Sequence, residues 1–216
     1  MTIEDLQHAI GVRVDGQWGP ASKAGLIAAL TNKSAPAATP EELTAIAQRL
    51  GATLAQLRAV ASVESSGGGF DVQGRPKILY ERHLFHRLTG GKFSPCAFSQ
   101  SAGGGYSESS WDKLTAACGK DPDAALSACS FGKFQVLGLH WSKLGYASAW
   151  ELAHSMVTGE AAHYELFARY IETFGLKDAL RRVSADPIDC APFASMSNGL
   201  AYRRFAYDTR IAKAMT

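Results

Sequence analysis

Two glutamates, Glu64 and Glu81, are the residues of this chain best suited by type and setting to acid–base chemistry. Glu64 closes the run TLAQLRAVASVESSGGGF, residues 53–70, in which Leu54, Leu57, Val60 and Ala61 recur at helical spacing. Thr53 is a good N-cap for that helix, and the glycines Gly67 to Gly69 are expected to end it. Glu64 then falls in the last turn, on or beside the buried face. The negative carbonyl end of a helix and partial burial both disfavour a charged carboxylate and raise its pKa. A carboxylic acid held protonated near neutrality is the general acid that glycosidic cleavage requires. The competing reading is an ordinary solvated glutamate at a helix end.

Glu81 lies 17 positions further on, in KILYERHLF. A hairpin between the two would return the chain to the same place and make Glu81 a second carboxylate. The competing reading is an ion pair with Lys77, Arg82 or Arg87. Asp71, directly after the glycines, is the reserve for that role, or else the anchor of a turn through an Asx bond. Gln135, in SFGKFQVLG, has both a donor and an acceptor for a sugar amide. His83 and His86 sit three apart with no third ligand in view, so neither a metal nor a cofactor is expected.

Around these residues the elements read as mainly helical. Residues 3–10 and 20–30 form two short helices about the turn GVRVDGQWGP. Residues 33–40 read as a linker rich in Ala, Pro and Ser. Thr39-Pro40-Glu41-Glu42 opens a helix with a capping box, whose inner face is Leu43, Ile46, Ala47 and Leu50. Ile78 to Tyr80 suits a short strand, and Glu81 to Leu88 a helix with Leu84, Phe85 and Leu88 inward. Residues 90–111 are rich in loops, with Tyr106 and Trp111 in a Gly/Ser run. Asp121-Pro122-Asp123 starts another helix. Three more follow over 148–156, 159–173 and 176–182, the second with Ala162, Leu166, Phe167, Tyr170 and Ile171 inward. A helix, a turn at Asn198-Gly199 and a final helix close the chain. Arg203, Arg204, Arg210 and Lys213 give that end a basic face, either solvated or in electrostatic contact with anionic wall polymer or outer-membrane lipid.

The chain has 216 residues, 46% hydrophobic and 19% charged, with a formal net charge of +2. That profile predicts a globular protein, and the charge is too small to argue for nucleic-acid binding; a monomer is expected. No secretory signal or membrane-spanning run is read, so synthesis in a cytoplasm is expected. Cys96, Cys118, Cys129 and Cys190 lack CxxC spacing and are expected to be free thiols.

Two resemblances give these motifs a context. Leu6-Gln7 followed by Asp15-Gly16-Gln17-Trp18-Gly19-Pro20 resembles the second half of the common three-helix peptidoglycan-binding repeat, which implies wall binding through Asp15 and Trp18. The alternative is that these residues only shape a helical hairpin that folds by docking onto the rest. VESSGGGF, SFGKFQVLG and SNGLAY, in that order, resemble the lysozyme-like superfamily. With GRPKILYERHLFHRL, the loop ending in Gly-Gly-Tyr106 and a C-terminal NGLAYRRFAYDTRIAKA, residues 41–215 resemble the N-acetylmuramidase domain of phage endolysins.

The resemblance implies a mainly α, lysozyme-like helical domain with a small β-hairpin over residues 41–216, preceded by a short helical module over residues 1–32. It makes Glu64 the general acid and Glu81 the second carboxylate, with Gln135, Asn198, Tyr202 and Tyr106 as substrate contacts. Where the family usually has Tyr-Asn-Gly-Pro, this chain has Ser197-Asn198-Gly199-Leu200, a departure that bears on substrate affinity. The implied substrate is bacterial peptidoglycan, cut at the β-1,4 bond from N-acetylmuramic acid to N-acetylglucosamine. The implied setting is a bacteriolytic protein released from the host cytoplasm onto the wall. The rival readings are a lytic transglycosylase forming 1,6-anhydro ends, and a non-catalytic wall-binding or virion module.

Overall fold

The helix starts follow local side-chain chemistry. Thr39 and Thr53 each accept from the backbone N–H three residues on, while Glu42 and Gln56 reach back to the cap N–H groups. Ser109, Asp121 and Ser148 cap three further helices in the simpler way, through their side-chain oxygens.

The computed structural model describes residues 1–65 and 67–216, with the side chains of residues 198–201 also outside the description. Along the chain run α1 (Ile3–Ala9), α2 (Pro20–Ala29), α3 (Pro40–Leu50), α4 (Leu54–Glu64), β1 (Ile78–Tyr80) and α5 (Arg82–Leu88). They are followed by α6 (Ser110–Cys118), α7 (Pro122–Ser127), β2 (Cys129–Phe131), β3 (Val136–Leu137) and α8 (Ala149–Ser155). The last elements are α9 (Glu160–Thr173), α10 (Lys177–Arg182), α11 (Pro187–Asn198) and α12 (Tyr207–Ala214). The fold is mainly helical and lysozyme-like, as expected. The expected hairpin is a three-stranded antiparallel sheet, ordered β1-β2-β3.

Packing divides the chain into two units: Met1–Ala35 with Phe70–Thr158, and Pro36–Gly69 with Gly159–Thr216. In the first, Tyr80 pairs with Cys129 and Ile78 with Phe131 across β1 and β2, and Phe131 pairs with Val136 across β2 and β3. Tyr80 is fully buried and its hydroxyl donates to Phe98 O at 3.2 Å. Phe85 packs against Phe93 and Phe98 with ring centroids 5.9 and 5.7 Å away. These contacts hold the β1–α5 junction, where Glu81 sits, against a rigid aromatic cluster.

The N-terminal helices belong to this same unit. Buried Gln7 organises the turn after α1: its Nε2 donates to Asp15 Oδ1, Gln17 O and Ser22 Oγ, and its Oε1 accepts from the N–H groups of Asp15 and Gly16. Trp18 Nε1 donates to Thr115 O at 2.7 Å, on α6. The Asn32 backbone N–H donates to Gly74 O at 2.8 Å, while its amide Nδ2 donates to Val157 O. A Cβ at Gly74 would lie 2.8 Å from Lys33 Cα, so that close approach requires glycine.

In the second unit α3 packs on α9, and α12 on α4 and α11. Arg49 of α3 reaches Glu165 of α9 at 2.8 Å and Glu172 at 3.6 Å. Gln56 Nε2 donates to Arg181 O and Val183 O, which ties α4 to α10.

Several local expectations change. Leu88, the last residue of α5, is exposed rather than packed inward. The inner face of α9 includes His163, Tyr164 and Ala168, whereas Ala162 and Tyr170 are only half-buried. No simple turn follows α11: the chain enters a 3-10 stretch, Gly199–Phe205, and reverses at Ala206 with φ 50°. Cys96, Cys118, Cys129 and Cys190 are free thiols. None of the described helices is long and apolar enough to cross a membrane.

Candidate active site

Glu64 lies in the last turn of α4, as its spacing predicts, and is half-buried. The helix stops one residue later without help from glycine. Ser65 turns extended, with φ −127° and ψ 138°, and its hydroxyl donates back to Ala61 O at 2.7 Å. Two groups that spacing does not reveal meet this helix end. Ser197 Oγ, from the last turn of α11, donates to Glu64 Oε1 at 3.2 Å. Arg210 Nη2, from α12, lies 3.4 Å from Val63 O and faces the carbonyl end of α4, where a cation offsets the helix dipole. Burial, then the charge of Glu64, pushes the Tyr170 hydroxyl above its ordinary pKa.

Tyr202 is buried, 7% exposed, and its hydroxyl accepts from Arg203 Nε at 3.1 Å. The Arg203 guanidinium also stands 5.7 Å from the Tyr202 ring centre. Asn198 ends α11, and its side chain lies outside the described residues. Arg203, Arg204, Arg210 and Lys213 are all exposed, and Arg210 also reaches α4 and the ring of Tyr207.

Glu81 belongs to the other unit. It stands at the N-cap of α5, its N–H donates to Ala128 O at 2.9 Å, and its side chain is 16% exposed. Tyr106 Oη donates to Glu81 Oε2 at 2.9 Å. His83 Nδ1 lies 3.2 Å from that same oxygen. The hydrogen bond to Glu81, then burial, pushes the Tyr106 hydroxyl above its ordinary pKa, so the phenol is the donor. Arg82, a candidate ion-pair partner from sequence, turns away and donates from Nη2 to Gly103 O at 2.9 Å.

Tyr106 is delivered by the glycine loop. Gly104 and Gly105 have φ of +96° and +74°, and a Cβ at Gly105 would meet Arg82 Nη1 at 3.0 Å. Lys113 of α6, buried at 3% exposure, donates from Nζ to Gly105 O and stands 3.8 Å from Glu108. Two cations, Arg82 and Lys113, therefore clamp consecutive turns of this loop through its carbonyls. Composition marks the stretch as a loop; only the fold supplies the clamps.

The remaining candidates fall as follows. Gln135 is exposed, with φ 50°, and its Nε2 donates to Gly132 O at 2.8 Å and Lys77 O at 3.3 Å across the β2–β3 turn. Asp71 accepts from Gln73 N–H and Arg75 N–H and pairs with the Arg75 guanidinium at 2.7 Å, so its carboxylate anchors the turn. Asp15 holds the turn of the N-terminal hairpin with Gln7 and the Gln17 N–H, which keeps its carboxyl below its ordinary pKa. Trp18 spends its indole N–H on Thr115 O and covers Gly119. Both are thus engaged in packing the hairpin. His86 Nδ1 pairs with Ser94 Oγ at 2.7 Å. No cluster of three His, Cys, Asp or Glu side chains suited to a metal occurs among the described residues.

Residues 53–216 match the N-acetylmuramidase family model, and the chain belongs to that family. It is a lysozyme-type glycoside hydrolase by that membership. Among solved structures it is similar to the endolysin of Burkholderia phage AP3, with 33% identity and a TM-score of 0.75 over 99% of this chain and 83% of that one. No curated protein matches the chain.

Proposed function

We propose that this protein is a peptidoglycan-degrading phage endolysin that hydrolyses the β-1,4 bond between N-acetylmuramic acid and N-acetylglucosamine. The carrying observation is Glu64 itself. It is a half-buried carboxyl at a helix end, oriented by Ser197, in a chain of the N-acetylmuramidase family. In this reading Glu64 protonates the leaving oxygen as the sugar gains oxocarbenium character, and Glu81 meets the developing positive charge. Gln135 and Asn198 position the sugar amides. Residues 41–216 form the catalytic domain and residues 1–32 its N-terminal segment, whose wall contacts are proposed to be secondary to bracing α6 through Trp18. The protein acts as a monomer on the wall after release from the host cytoplasm, and exposed Arg203, Arg204 and Lys213 add salt-sensitive attraction to anionic polymer or lipid.

The test is digestion of purified peptidoglycan by the native protein and by Glu64→Gln, with fragments identified by mass before and after borohydride reduction. Reducible muramic-acid ends from the native protein alone are expected. Anhydro ends would replace hydrolysis with transglycosylation. Wall binding without fragments would make the chain a binding module.

A further inference from the structure

We propose that Tyr106 is a positioning residue for Glu81, holding one carboxylate oxygen so that the other is presented to substrate. This rests on the reading of Glu81 as the second carboxylate. Tyr106 Oη and His83 Nδ1 converge on the same atom, Glu81 Oε2, at 2.9 and 3.2 Å. Oε1 accepts no bond among the described residues, so the pair fixes which oxygen is engaged and which is open. The His83 nitrogen is buried and makes no aligned hydrogen bond, so it acts as a close wall beside Oε2, and Tyr106 supplies the directional contact.

The loop that brings Tyr106 is built for placement. Its glycines adopt positive φ, and its carbonyls at Gly103 and Gly105 are gripped by Arg82 and by the buried Lys113. Arg82 and His83 both follow Glu81 on α5. The helix that carries the carboxylate therefore also anchors the loop that orients it. The alternative role for an exposed tyrosine in such a loop is direct sugar contact, which makes a different kinetic prediction: a loss confined to KM.

The test is a double-mutant cycle of Tyr106→Phe and Glu81→Gln on solubilised peptidoglycan, reading kcat, KM and the unfolding midpoint. Tyr106→Phe is expected to lower kcat about 5- to 10-fold at unchanged KM and midpoint, the cost of roughly one hydrogen bond. In the Glu81→Gln background the same change is expected to have no effect on kcat. A rise in KM with kcat intact would overturn the proposal in favour of sugar contact. An equal kcat loss in both backgrounds would overturn it too, because Tyr106 would then act independently of Glu81. Near-native activity of Glu81→Gln alone would remove the second-carboxylate reading, and this inference with it, while the Glu64 reading keeps its own test.

Discussion

Ser197 donates a 3.2 Å hydrogen bond to Glu64, joining the last turns of α11 and α4 across 133 positions of sequence. The hydroxyl stands where the resemblance read from the sequence led one to expect an aromatic. It fixes the direction of one Glu64 carboxyl oxygen. Replacing it by alanine should lower kcat about fivefold, the equivalent of about 1 kcal/mol, with little change in stability. Steady-state kinetics on soluble glycan strands measures this; an unchanged kcat would remove Ser197 from the site.

Glu64, as the proposed acid, sets a larger effect. Glu64→Gln preserves shape and the bond from Ser197 but has no proton of the right acidity to give. Activity should fall by about 10²- to 10⁴-fold, with the unfolding midpoint near that of the native protein. Turbidity clearing of permeabilised cells reads the first quantity and circular dichroism the second.

Lys113 is a buried cation whose work is to hold Gly105 O. Lys113→Met keeps the stem but leaves that carbonyl only the 3.3 Å bond from the Glu108 N–H, at a cost of about 1 kcal/mol. The midpoint should drop by several degrees, and kcat should fall at least as far as in Tyr106→Phe. A stability loss without a kcat loss would show that the clamp does not reach Glu81.

Trp18 separates two roles for the N-terminal helices. If it is a packing residue, Trp18→Ala should cost about 2 kcal/mol, less than a fully buried tryptophan, and leave sacculus binding intact in a Glu64→Gln background. Retained stability with weakened pelleting on sacculi would instead make it a wall contact.

Glu165 gives a pH dependence. Burial opposes its charge, but the hydrogen bonds from Arg169 and Arg49 prevail, and its carboxyl titrates below the ordinary 4.5. A carboxylate with a depressed folded pKa stabilises the protein above its unfolded pKa, and that contribution is lost as pH falls through the folded value. Glu165→Gln should therefore lower the midpoint at pH 7 and flatten its decline below about pH 4.5. Equal shifts at pH 7 and pH 3 would contradict it.

Local chemistry was enough to locate the helix starts, because Thr39, Thr53 and Asp121 satisfy N–H groups within three residues of themselves. Apolar spacing likewise placed Glu64 at a helix end. The buried stripe of α9 was less legible: His163 and Tyr164 turn inward because neighbouring chain covers them, which polarity does not signal. Leu88 went the other way: its apolar type and spacing predict burial, but it ends α5 exposed, where no neighbouring element covers it fully.

What the sequence determined by itself is most of the elements, the helix-end position of Glu64 and the family pattern around it. Each of these depends on residues close in the chain or on a recognisable order of motifs. What the tertiary structure decided is the company each carboxylate keeps: Ser197 at Glu64, Tyr106 and His83 at Glu81, and Arg82 and Lys113 on the loop that carries Tyr106. Apart from His83 beside Glu81 and Lys113 beside its loop, these partners lie 21 to 133 positions from the groups they serve. A hydrogen bond depends on distance and direction in space, so its partners become visible only when packing has brought remote segments together.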